Sequence, residues 1–169
     1  MMEDGLPGEI FVLPNVYGLI KRRDGGGVLI QRRWKPQTDP GNLGKWELPG
    51  GKWRAGESAQ DCLRRELQEE CGIEVASIEG LFAQHEHLGQ RVETSSPTLV
   101  VQMLIGSAPS VLVVYAGYSD EEPAAEGDGA RDANFMDLSE LKGALREHPD
   151  TFTALSFAAL TELLSRDLL

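Results

Sequence analysis

The sequence predicts an α/β protein in which a mixed β-sheet carries helices on both faces. Short runs rich in Val, Ile, Leu and Tyr, separated by Gly- and Pro-rich turns, recur on either side of one long stretch. That stretch, Ser58 to Cys71, contains neither Gly nor Pro and is built from good helix formers. Further stretches with helical apolar spacing close the chain. Strands interrupted by a central helix and followed by others bury both faces of a sheet.

The elements follow in order. Met1 to Glu9 is acidic, contains Pro7 and Gly8, and reads as a flexible tail ahead of a single domain over 10–169. Ile10 to Leu13, stopped by Pro14, is an edge strand or an arm that pairs with a partner subunit. Val16 to Arg22 and Val28 to Arg32 form a hairpin, because Asp24-Gly25-Gly26-Gly27 between them is a turn sequence. Trp34 to Lys45 is a loop rich in breakers, and Trp46 to Pro49 is extended chain leading into Gly50-Gly51. Ser58 is a cap or first-turn residue of the central helix and Gly72 its stop. Leu63, Leu67 and Cys71 recur every four residues as its apolar stripe.

Val75 to His87 is expected to be extended, and the polar segment Leu88 to Pro97 to break the pattern. Thr98 to Ile105 and Val111 to Tyr118 read as antiparallel neighbours, buried on both faces because their apolar runs are nearly continuous. Ser119 to Asp132, acidic and rich in Ala and Gly, reads as a flexible loop, and Ala133 to Met136 as a short extended piece. A helix capped by Asp137 or Ser139 runs to Arg146 with Leu138, Leu141 and Leu145 inward. A last helix runs from Asp150 or Thr151 to about Leu168, with Leu155, Ala158 or Ala159, and Leu163 inward.

Composition narrows the function. The 169 residues carry a net charge of −11 and are 41% apolar, which suits one domain with a sizeable core. That charge argues against binding a nucleic-acid duplex or an anionic membrane. It does not exclude a nucleotide, since a metal ion inverts the local sign. Cys62 and Cys71 lie about 13–14 Å apart along the helix, too far for a bridge, so both are read as reduced. With no secretory leader and no apolar run approaching membrane length, the expected location is the cytoplasm.

The chemistry is concentrated at the central helix. Glu66, Glu69 and Glu70 fall at spacings of three and four, so their side chains share a face. Like charges so placed repel unless a positive group neutralises them, and Mg2+, which takes oxygen ligands together with substrate phosphates, is a suitable one. The bland alternative is a solvated helix face.

The spacing Gly51, five residues, Glu57, seven residues, Arg65-Glu66-Leu67, Glu69-Glu70, Gly72-Ile73 resembles the complete signature of the Nudix hydrolases. Trp46, Leu48, Pro49 and Gly50 ahead of it, and the C-terminal order of strand and helix, extend the resemblance over most of the chain. The resemblance implies an α/β/α sandwich. It also implies Mg2+-dependent hydrolysis, with Mn2+ as a substitute, of a diphosphate linkage in a nucleoside diphosphate joined to a group X. It marks Glu57, Glu66, Glu69, Glu70 and the Gly51 carbonyl as metal ligands.

Arg65 is then a phosphate clamp or, as the family favours, a structural partner of Glu57 or Glu69. Glu69 and Glu70 are candidates for the general base, as are Glu121, Glu122, Glu126 and Asp128 from the acidic loop. Arg32, Trp34, Trp46 and His87 are candidates for substrate contact; packing and sheet-edge roles are the alternatives for the tryptophans and for His85 and His87. The position where ADP-ribose hydrolases carry a proline holds Gly89, and that of the dinucleoside polyphosphate tyrosine falls at Gln90 or Arg91. The default substrate is therefore a small nucleoside triphosphate or diphosphate, cleaved to a monophosphate. ADP-ribose or a nucleotide sugar, a non-catalytic nucleotide-binding regulator, and an isomerase of isoprenoid diphosphates are the other readings. The last would need a Cys–Glu arrangement that Cys62 and Cys71 do not supply. Ile10 to Leu13 and the apolar strands point to a homodimer.

Overall fold

In the computed structural model, residues 9–169 are described; the expected tail lies outside them except for Glu9. The strands are β1 (Leu13–Lys21), β2 (Val28–Arg33), β3 (Trp46–Glu47), β4 (Gly50–Lys52), β5 (Ser77–Ile78), β6 (Phe82–His87), β7 (Gln90–Ser95), β8 (Leu99–Gln102), β9 (Ser110–Tyr118), β10 (Glu126–Gly127) and β11 (Ala130–Met136). The helices are α1 (Ala59–Cys71), α2 (Leu138–Glu147) and α3 (Ala154–Ser165). The main sheet runs β10-β11-β2-β1-β9-β5, with β3 on β2, β4 on β1 and β8 on β9. It is mixed: β1 pairs with β9 in parallel along all nine of its residues, and the other ladders are antiparallel.

Alternation along the central strands creates two cores. Val16 and Ile20 of β1 and Leu29 of β2 pack with Leu63, Leu67 and Cys71 of α1. Tyr17, Leu19, Val28 and Ile30 face the other way and pack with Leu141, Leu145, Leu160 and Leu163 of α2 and α3. Both faces of β1 and β2 are thus buried, and their near-continuous apolar runs follow from that. The helix ends form as the sequence indicates. The Ser58 side chain accepts a hydrogen bond from the Asp61 N–H, and Gly72 closes α1 in the left-handed region at φ 65°. Asp137 caps α2, with its side chain accepting from Ser139 and Glu140 N–H groups.

Several expectations are corrected. Ile10 to Val12 are exposed and outside any strand, whereas β1 begins at Leu13 and passes through Pro14. The proline fits because the Leu13 N–H is the one turned to β9, donating to the Pro109 carbonyl. Pro14 faces the other side and needs only to accept, from the Trp53 N–H. Leu88 to Pro97 does not break the pattern: β6 and β7 form a separate two-stranded hairpin. Its turn residues, Leu88 and Gly89, are both left-handed, and leucine is an uncommon occupant of such a position.

Thr98 to Ile105 is not buried on both faces. Only Leu99–Gln102 is a strand; Val100 is 56% exposed, and Leu104 and Ile105 lie in the following loop at 85% and 95%. Part of Ser119 to Asp132 is ordered strand and turn on the end of α1. The last helix starts at Ala154 rather than Asp150, because Pro149–Thr151 forms a 3-10 turn first. No helix among the described residues is long and apolar enough to cross a membrane.

Candidate active site

The site forms where α1 lies against β4, which begins at Gly50-Gly51, close to Glu47 at the end of β3. Glu66 and Glu70 are buried, beside the apolar stripe that anchors the helix. The three helix carboxylates take different partners. Glu66 and Glu69 turn to Arg65, while Glu70 turns inward beneath the sheet.

Arg65 is the hub of the outer half. Its Nε and Nη2 donate to the two Glu57 oxygens at 2.7 and 3.1 Å, and its Nη1 to Glu66 and, at 3.3 Å, to Glu69. It also donates to the Lys52 carbonyl at 3.2 Å. These hydrogen bonds pull the Glu57 carboxyl down to about 2 and push the guanidinium up. Among the described residues, no three His, Cys, Asp or Glu side chains are arranged around a common point that a metal ion could fill as they stand.

Glu70 makes up the inner half. Its Oε2 accepts from the Gly50 N–H at 3.0 Å and from the Gln31 amide at 2.7 Å. The same Gln31 amide reaches the buried Glu47 at 3.4 Å, and Arg33 donates to Glu47 at 3.2 Å and to Asp39. Glu70 Oε1 takes neither bond and faces the Lys35 ammonium at 3.9 Å. Burial first, and then the Glu47 charge, push the Glu70 carboxyl up to about 8, against the Gly50, Gln31 and Lys35 contacts. Burial also raises Glu47, with Arg33 opposing it most.

The donor set fits a hard divalent cation. Glu57, Glu66, Glu69, Glu70 and the Gly51 carbonyl all offer oxygen donors, the kind such a cation takes. At Gly51 any Cβ would collide with the Glu66 carboxylate, so the absent side chain lets the β4 backbone and that carboxylate share one small space.

Other expected contacts are dispersed. By alternation from Gln31, Arg32 lies on the opposite face of the sheet, together with its cross-strand neighbour Trp46. There Arg32 stacks over the Trp46 ring at 3.9 Å, donates to the Gly44 carbonyl and pairs with Asp132. Trp34 is covered on one face by Arg131 at 4.1 Å. Trp53 packs beside α1 and donates to the Glu57 carbonyl. His85 and His87 stand exposed on the β6–β7 hairpin. All four loop acids are exposed: Glu121 accepts from the Glu74 N–H, Glu122 pairs with Arg22, and Glu126 and Asp128 sit in the β10–β11 hairpin.

That hairpin is docked on the last turn of α1. The Asp128 N–H donates to the Glu69 carbonyl and the Ala124 N–H to the Cys71 carbonyl, and a Cβ at Gly127 would overlap the Glu70 backbone. Gln31 and Glu47 escaped the sequence reading, whereas Arg33 and Lys35 read from the sequence as positive charge near the ends of the first hairpin, on the basic edge of a loop able to border a ligand. A signal existed for the two that were missed: Gln31 and Glu47 interrupt runs of apolar, strand-forming residues, where a polar side chain is costly unless it is partnered.

A mixed sheet thus lies between one acidic helix and a helix pair, with the Gly50-Gly51 backbone laid beside glutamates. The NUDIX domain family matches residues 13–155, and the chain belongs to that family. A Mycobacterium tuberculosis protein named "Putative 8-oxo-dGTP diphosphatase 2" is 49% identical over 63 residues, a match spanning 37% of this chain and 41% of that relative. An isopentenyl-diphosphate Delta-isomerase of Cereibacter sphaeroides is 31% identical over 153 residues, covering 84% of this chain and 74% of its own. The crystal structure of a MutT protein from Methanosarcina mazei Go1 has the same fold, with a TM-score of 0.66 at 22% identity over 94% of this chain and 97% of that one.

Proposed function

We propose that the protein is a Mg2+-dependent nucleotide pyrophosphohydrolase, able to use Mn2+, that attacks a nucleoside triphosphate or diphosphate with water. A new P–O bond forms from the water oxygen, and the bridging P–O bond breaks. A nucleoside monophosphate leaves, with pyrophosphate or phosphate as co-product. The observation that supports this reading is the division of labour on α1. Glu66 and Glu69 of the helix, with Glu57 just ahead of it, are held by one guanidinium beside Gly51, and Glu70 is buried apart from them with one oxygen free of those hydrogen bonds.

Glu57, Glu66, Glu69, Glu70 and the Gly51 carbonyl would hold the metal, which when bound supplies charge neutralisation for the phosphates and a more acidic water. The rest falls to the chain itself. Gly50 N–H and the Gln31 amide fix the Glu70 carboxylate through Oε2 and leave Oε1 to accept a proton. Arg65 orients Glu57, Glu66 and Glu69 through its hydrogen bonds. Glu126 and Asp128, on the hairpin docked to the end of α1, remain the loop alternatives for the base.

The likeness to the isomerase favours a second reading, turnover of an isoprenoid diphosphate. Both cysteines, however, are buried on α1, and burial raises the Cys62 thiol to about 12 and the Cys71 thiol as well, so neither offers a thiolate. The test is a panel of nucleoside triphosphates and diphosphates, ADP-ribose, nucleotide sugars and isopentenyl diphosphate, with Mg2+ or Mn2+ and products resolved by phosphorus NMR. Monophosphate release from a nucleoside triphosphate or diphosphate is expected. Turnover of isopentenyl diphosphate alone, or of nothing, overturns the proposal.

A further inference from the structure

We infer that Lys35 is a substrate-binding residue, its ammonium seated to take a phosphate oxygen of the diphosphate at the open edge of Glu70. The inference rests on the hydrolase reading above and adds a residue outside the helix and its glycine turn. The protein is strongly acidic overall, so recognition of a polyanion depends on local positive charge.

The arginines around the site are already engaged. Arg65 is shared among Glu57, Glu66 and Glu69, Arg33 between Asp39 and Glu47. Arg32 is held by Trp46, Gly44 and Asp132, and Arg131 lies on Trp34. Lys35 has three ammonium donors and, at 3.9 Å from Glu70 Oε1, a partner too distant for a good hydrogen bond.

Its placement is built rather than incidental. The Lys35 carbonyl accepts from the Asp39 N–H at 2.8 Å, and the adjacent Trp34 N–H donates to the Gly129 carbonyl at 2.8 Å. The Lys35 chain then crosses Gly129, where a Cβ would overlap its Cε and where φ is +68°. A glycine at the tip of the β10–β11 hairpin thus leaves the channel through which the lysine reaches Glu70. The same hairpin rests on the Glu69 and Glu70 backbone, so helix, hairpin and lysine are positioned together. Arg54 is also loosely paired, 4.0 Å from Glu69, but its side chain is 62% exposed and no such channel holds it.

The test uses the full chain and titrates inorganic pyrophosphate in the presence of Mn2+ by calorimetry, which removes any contribution of the base. Lys35→Gln should weaken pyrophosphate binding about 10- to 100-fold, the range for losing a charge-assisted hydrogen bond, while Lys35→Arg should keep most of it. Mn2+ affinity, read by electron paramagnetic resonance without pyrophosphate, should not fall in K35Q. With a nucleotide that the wild type hydrolyses, the loss should appear mainly in KM. Gly129→Ala, checked for folding by circular dichroism, should weaken binding in the Lys35 background and add little in K35Q. Pyrophosphate affinity in K35Q equal to wild type, no binding to the wild type, or an equal loss in Arg54→Gln would overturn the inference. Failure of the hydrolase reading would show separately, as a wild type that turns over no nucleotide.

Discussion

At the scale of single residues, Glu70 and Arg65 divide the site between an inner and an outer carboxylate set. Glu70→Gln keeps both hydrogen bonds to Oε2 possible in shape but removes the charge, so kcat should fall by about 100-fold or more with the fold intact. Unchanged turnover in Mg2+ would contradict the proposed role. The raised Glu70 pKa also makes a prediction for the metal-free protein. A carboxyl whose folded-state value stands above the unfolded one binds more protons when folded. Its contribution to stability is therefore full below the ordinary value of 4.5 and is lost as pH rises through about 8. Thermal melts in chelator should decline over that window, and Glu70→Gln should flatten the decline. Gln31 and Glu47 were not read from the sequence as part of this set. Strand alternation says which face a residue takes, but not that a helix carboxylate from 39 positions away will meet it.

At the scale of elements, α1 was the most legible part of the chain. Cap, stripe and stop are all local, so Ser58, Leu63, Leu67 and Gly72 could be assigned by pattern alone. Ser58→Ala should lower stability by about 1 kcal/mol, measured by denaturant unfolding, with little effect on kcat. The β6–β7 hairpin was missed because its strands are largely exposed and its turn sets Leu88 ahead of Gly89, so it shows no apolar alternation and only half of the usual turn pair. The β10–β11 hairpin was missed for a related reason. Acidic, Ala/Gly-rich chain reads as loose, yet Gly127 and Gly129 are small so that α1 and Lys35 can approach. Gly127→Ala should therefore shift the end of α1 and lower kcat/KM by about 10-fold or more, although the residue bears no chemistry. A variant as active as wild type would show that the docking does not matter to the site.

At the scale of the whole molecule, two cores share one sheet. Val16 and Ile20 belong to the α1 side, Tyr17 and Leu19 to the α2–α3 side, on the same strand. Leu63→Ala and Leu160→Ala, one in each core, should each cost about 2–5 kcal/mol. Both should leave a single unfolding transition, because neither helix layer can leave without exposing β1. Two resolved transitions in calorimetry would show the layers to be independent. The fold class was readable because both cores leave apolar runs in the central strands. The parallel pairing of β1 with β9 was not, since it joins segments nearly a hundred positions apart.

The guanidinium among Glu57, Glu66 and Glu69 has one more implication. In the resting protein it already acts as resident counter-ion, so an arriving divalent cation would substitute for its hold on those oxygens rather than rescue a repelling cluster. Stripping with a chelator should then silence the enzyme without melting it, and reloading should be fast and complete.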